Sequence, residues 1–150
     1  MISKIPFKLI KIKNGGYHLH QFIKINGKQA RLIIDTGASA TILDKGSIQK
    51  FTQNKLNKHT DQATGISGKK MDSFIVSVDS VSFGSISLKK QKLGALDLSN
   101  VNATYKQLNI PHVDGVLGSD LLKKLNAVVD YSKKEVVFNS SIKKTSTSKK

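Results

Sequence analysis

Residues 32–43 read Leu-Ile-Ile-Asp-Thr-Gly-Ala-Ser-Ala-Thr-Ile-Leu, an apolar strand that runs into Asp35-Thr36-Gly37 and leaves into a second apolar stretch. The pattern delivers one carboxylate at the end of a buried strand, on a turn where glycine lets the backbone double back and Thr36 offers a short hydroxyl. An Asp-x-Gly triplet alone is an ordinary turn. A turn between two buried strands, however, has little reason to hold an ionisable group at its inner edge unless that group is used. Asp35 is therefore the candidate catalytic residue, and Thr36, Gly37, Ala38 and Ser39 form the loop around it.

Short apolar alternations bounded by turn residues dominate the remainder, which predicts a mostly β domain. Strands are expected over 7–13, 17–25 and 29–34, the last two joined by Asn26-Gly27, a strong two-residue hairpin signal. A short strand over 41–43 leads to Asp44, which reads as the N-cap of a brief helix over 45–51. Residues 52–70 are polar, and Thr64-Gly65-Ile66-Ser67-Gly68 near their end reads as a hairpin tip presenting one apolar side chain. Strands are expected over 74–78, 81–83 and, after Gly84-Ser85, 86–88, with a separate one over 93–98. Residues 99–109 stay open between a loop and a short helix, which Pro111 would end. Val116-Leu117, pinned between Gly115 and Gly118, predicts a buried strand whose backbone passes close to another segment. Ser119 or Asp120 would cap a helix running to Leu125, and a closing hairpin follows over 127–130 and 135–138. Residues 139–150 are almost entirely Ser, Thr, Lys and Asn and predict a disordered basic tail, so the folded domain is set at 1–138.

A chain of 150 residues is one domain by length, too short for two catalytic lobes. It contains a single Asp-Thr-Gly, so a reaction that needs two such carboxylates must draw the second from another chain. The absence of cysteine removes disulfides, thiolate metal sites and cysteine nucleophiles. Lysines interrupt the apolar positions of the first 30 residues, leaving no membrane span, and a cytoplasmic protein is expected. The net charge of +15 raises the question of nucleic acid, yet Arg31 is the one arginine and the lysines are scattered along the chain. The charge reads as solvated surface, with neither nucleic acid nor membrane as partner. His18 and His20 read as surface or rim residues with no third ligand at a useful spacing, so no metal and no cofactor are expected. Ser39 and Ser119 lack the Gly-x-Ser-x-Gly context of a serine nucleophile.

With these segments in order, the chain resembles the retropepsin-like aspartic proteases. The likeness rests on Leu32 to Ser39, on Thr64 to Gly68 and on Val116-Leu117-Gly118-Ser119-Asp120, and spans about residues 17–138. It implies a closed, mostly β barrel with one or two short helices that works as a homodimer, with one catalytic Asp from each subunit. By that resemblance Asp35 is the catalytic carboxylate, Thr36 reaches the partner's equivalent loop, and Gly37 binds substrate main chain. Gly65, Ile66 and Gly68 match the flap tip that closes over a peptide. Val116, Leu117 and Gly118 match the segment that supports the active-site loop. Two departures stand out: Ser39 and Ala40 occupy positions that retroviral enzymes fill with Asp, and Ser119-Asp120 replaces the Arg-Asn or Arg-Asp pair common in viral enzymes. Asp114 sits outside the signature and reads as structural.

Amide hydrolysis without metal, cysteine or a Ser-His pair needs an activated water and a proton donor for the leaving amine. Two carboxylates within hydrogen-bond reach share one proton, because both cannot ionise cheaply, and so supply a base and an acid together. The expected function is that of an aspartic endopeptidase acting on polypeptides. A retropepsin-like dimer kept as a peptide-binding or scaffold module is the second class that fits.

Overall fold

The computed structural model describes residues 1–58, 63–64 and 70–141. Strands β1 (Ile2–Lys11), β2 (Tyr17–Ile25) and β3 (Lys28–Ile34) form an antiparallel meander. Asn26 and Gly27 both take positive φ, 51° and 80°, as the tight β2–β3 turn requires. After β4 (Ile42–Asp44), the Asp44 carboxylate accepts a hydrogen bond from Gly46 N–H and starts a 3₁₀ helix over Lys45–Lys50. Next come β5 (Asn57–Lys58) and then β6 (Ala63–Thr64) and β7 (Lys70–Met71), which pair with each other in a separate two-stranded sheet. The chain continues through β8 (Phe74–Phe83), β9 (Ile86–Leu96), α1 (Ser99–Gln107), β10 (Gly115–Leu117), α2 (Ser119–Lys124), β11 (Val128–Asp130) and β12 (Glu135–Asn139).

The main sheet has the order β11-β12-β1-β2-β3-β10-β4-β9-β8-β5, and β2 also pairs with β8 through Lys24–Ser82 and Ile25–Val81. That pairing closes β2, β3, β10, β4, β9 and β8 into a six-stranded barrel. Its interior holds Ile25, Leu32, Leu43, Val76, Phe83 and Leu117, all without solvent exposure. β1 belongs to two layers: residues 7–11 pair with β2 and residues 2–6 with β12. The Phe83 and Phe138 rings meet at 4.8 Å and join the barrel to this terminal extension.

The expected mostly β, closed barrel with a few short helices is thus the fold. Several local expectations change. The strands expected over 86–88 and 93–98 are one strand, β9, because Lys90 adopts φ 52° and the pairing with β8 continues past it. The buried positions of β8 move from Val76 and Val78 to Val81 and Phe83 across the same point, while the register with β9 stays the same on both sides of it. The open segment 99–109 is helical. Asn102 on α1 accepts from Val113 N–H and donates to Val113 O, and so ties the helix to the entry of β10. β12 reaches Asn139, and Ser140 N–H donates to Met1 O at 3.0 Å. Residues 142–150 of the expected tail lie outside the described residues. Among the described residues no helix is long and apolar enough to cross a membrane.

Candidate functional site

The Asp35 loop is held from below by β10 and the start of α2. β10 runs parallel to β3, pairing Gly115 with Leu32 and Leu117 with Ile34, so the strand carrying Asp35 ends beside Leu117. Asp35 N–H donates to Leu117 O at 3.0 Å. The turn then closes on itself: Gly37 N–H donates to Asp35 Oδ1 at 3.0 Å and Ala38 N–H to Asp35 O at 3.1 Å. Ser119 N–H donates to Ala38 O at 2.7 Å and fixes the far side of the loop. Gly118 is needed where it stands, since a Cβ there would lie 2.5 Å from Ala40 O and 3.0 Å from Ala38 O. The segment Val116-Leu117-Gly118 therefore lies directly against the loop.

One residue of this bracing escaped the sequence reading. Neither Ser119 nor Asp120 caps α2 as expected, because Gly118 occupies the cap position in extended conformation and has no side chain to offer. The Asp120 carboxylate instead accepts from Thr41 Oγ1 at 2.7 Å, Thr41 N–H at 3.0 Å and Leu121 N–H at 2.8 Å. Thr41 Oγ1 in turn accepts from Gly118 N–H at 3.0 Å. Hydrogen bonds to an ionised acceptor are short and strong, so Asp120 pins the exit of the loop to the helix. The signal available in sequence was an acidic residue in the first helical turn immediately after the supporting strand.

Asp114 is structural, as the sequence suggested. It is 4% exposed, and its carboxylate accepts from Arg31 N–H at 2.9 Å and from the Lys50 ammonium at 2.7 Å. Its own N–H and C=O bond Arg31 O and Asp44 N–H, which joins β3, β10 and β4.

Asp35, Thr36, Gly37, Ser39 and Ala40 are exposed in the single chain, and Ala38 is half-buried. The bracing thus presents an acidic loop on an open face. Beside it lies a cleft of about 620 Å³, bounded by residues 37–42 on one side and by residues 73–75 and 92–96 on the other. Residues Gly65, Ile66 and Gly68 lie outside the described residues. Among the described residues no three His, Asp or Glu side chains group into a metal-binding set.

His20 departs from the expected surface position. It is fully buried, because Tyr105 on α1 covers that outer face of β2. Arg31 Nε–H donates to His20 Nδ1 at 2.9 Å, which leaves the ring proton on Nε2 to donate to Tyr105 Oη at 3.1 Å. The Tyr105 hydroxyl then donates to His18 Nδ1 at 2.6 Å. Burial above all, with the charges of Arg31 and His18, lowers the His20 pKa to about 4. Burial likewise raises the Tyr105 phenol to about 12. His20 and Tyr105 serve a packing network between barrel and helix.

The aspartyl protease family model matches residues 23–121, a span running from β2 through the loop and β10 into α2. No curated protein matches the sequence. Among solved structures, a retropepsin-like aspartic protease from Rickettsia conorii is similar at 19% identity and TM-score 0.59, over 93% of this chain and 92% of that one. The EIAV protease, solved with an inhibitor, is similar at 19% identity and TM-score 0.57, over 79% of this chain and 98% of that one. The retroviral protease-like domain of Ddi1 from Leishmania major is similar at 12% identity and TM-score 0.51, over 77% of this chain and 82% of that one.

Proposed function

The chain belongs to the aspartyl protease family, and on that footing we propose that it is an endopeptidase whose active site is completed by a second copy of itself. The observation that carries this reading is the Asp35 loop: it is braced by Leu117, Gly118 and Asp120, yet its carboxylate stands exposed, and the chain holds one Asp-Thr-Gly. A lone carboxylate can take a proton from water but cannot at the same moment donate one to the substrate. Two Asp35 side chains facing each other across a two-fold axis supply both roles.

In this reading one Asp35 is ionised and removes a proton from the attacking water while its protonated twin hydrogen-bonds the scissile carbonyl oxygen. The tetrahedral intermediate collapses as a proton passes to the leaving amine, and the pair is restored to its singly protonated state. Thr36 reaches the partner loop, and Gly37 offers backbone to the substrate main chain. Gly65, Ile66 and Gly68 form a flap tip over the bound peptide, and Val116, Leu117 and Gly118 keep the loop from shifting. The catalytic unit is residues 1–138 together with the end of β12 at Asn139, and a basic tail follows it.

Asp35→Asn is nearly isosteric and removes only the acid–base chemistry. Incubated with a denatured protein mixture, the parent should cleave and the variant should not, while both keep the same circular dichroism and sedimentation. Cleavage by the variant at the parent's rate would end the aspartic-peptidase reading. Absence of cleavage by the parent, with peptide binding retained, would favour a scaffold role.

A further inference from the structure

Two features of the cleft beside the Asp35 loop are unused by the proposed chemistry. The first is Gly94. Alternate residues of a strand share a face, so Lys92, Gly94 and Leu96 lie along one side of β9. Gly94 lines the cleft, and a Cβ there would come into van der Waals contact with Ile42 Cγ1 at 3.4 Å and Thr41 O at 3.5 Å, so any side chain at 94 would take up room in the cleft. Ile42, Phe74 and Ile75 among its lining residues give it an apolar wall.

The second feature is charge. Lys92 lines the cleft, is exposed, and has no ion pair among the described residues. Asp120 lines it as well, but its oxygens are committed to Thr41 and Leu121. Lys45 stands 4.4 Å from the Phe74 ring centroid and also acts on the Asp97 carboxylate. Among the described residues Lys92 is therefore the cation that lines this cleft with no ion pair. A charge beside a low-dielectric wall acts on a bound partner more strongly than the same charge in open solvent.

We propose that this cleft is a substrate subsite for a bulky apolar side chain with an acidic side chain next to it, Gly94 setting the depth and Lys92 the charge preference. The inference rests on the peptidase reading above. Its test is cleavage-site profiling: the parent, Lys92→Glu, Gly94→Ala and Gly94→Val are each incubated with a diverse peptide pool, and cleaved bonds are identified by mass spectrometry. The parent should show one position near the scissile bond where Asp and Glu exceed Lys and Arg by about fivefold, an excess that shrinks at high salt. A neighbouring position should favour Phe, Leu or Tyr. Lys92→Glu should invert the charge preference at that position alone. The two Gly94 variants should shift the apolar position stepwise toward smaller residues. A parent profile without acidic enrichment, or one that Lys92→Glu leaves unchanged, overturns the inference and leaves the peptidase intact. A pool left uncut by the parent removes the peptidase reading, and this inference with it.

Discussion

The Asp120 carboxylate accepts three hydrogen bonds, two of them from Thr41, and replacing it with Ala would leave the Thr41 N–H and hydroxyl without their acceptor. Stranding such groups costs about 1–3 kcal/mol, so Asp120→Ala should lower the thermal midpoint by several degrees. Turnover should fall further than stability does, because the released segment is the exit of the Asp35 loop. Asp120→Asn keeps one acceptor oxygen and should be milder on both counts, and differential scanning calorimetry beside a peptide assay checks the pair. His20 gives a second prediction at this scale. Its folded pKa of about 4 lies below the ordinary value of 6.5, so the unfolded chain binds the additional proton between those limits. The stability it contributes is complete above pH about 6.5 and is lost as pH falls toward 4, a loss on the order of 2–3 kcal/mol. Urea midpoints measured from pH 7 to 4 should show that slope. His20→Gln, which can still accept from Arg31 and donate to Tyr105, should flatten it; equal slopes in the two proteins would assign the pH dependence elsewhere.

At the scale of elements, the junction of β10 with α2 is packed directly against backbone carbonyls of the loop. Gly118→Ala should destabilise the fold by about 2–4 kcal/mol, since its Cβ overlaps backbone carbonyls that cannot rotate away. Denaturant unfolding checks this, and a variant as stable as the parent would mean that the loop yields freely. Ile66→Asp in the proposed flap should reduce turnover more than about tenfold while moving the thermal midpoint little, because an apolar tip acts only when closed over substrate. The Asp-Thr-Gly and the hairpin were legible in the sequence because their constraints are local, a turn at Asn26-Gly27 and a reversal at Asp35-Thr36-Gly37; the close approach at Gly118 was legible from the glycines that flank the apolar pair, although the carbonyls it meets are those of Ala38 and Ala40. What stayed hidden depends on segments distant in the chain. Alternation along β2 places His18 and His20 on the outer face, which is normally solvent, and only the docking of α1 with Tyr105 buries His20. Asp120 likewise has the sequence context of a cap, and its actual role depends on Thr41, 79 positions earlier, whose hydroxyl donates to it. β9 read as two strands because Lys90 breaks the alternation that a single strand would show.

On the scale of the whole molecule, the six-stranded barrel carries an exposed acidic loop, which in the proposed assembly would supply half of a two-carboxylate site. The proposed assembly makes activity a property of two chains, so specific activity should decline on dilution once dimers dissociate, in parallel with the sedimenting species. Subunit mixing tests the same claim most directly. The parent is combined with increasing proportions of Asp35→Asn under conditions that allow subunits to exchange, and peptide cleavage is measured at constant total protein. If each active site takes one Asp35 from each of two chains, only parent homodimers turn over substrate. Total activity then falls with the square of the parent fraction. Activity that falls in simple proportion to the parent fraction, with each parent chain working at full rate beside a dead partner, would contradict the shared site.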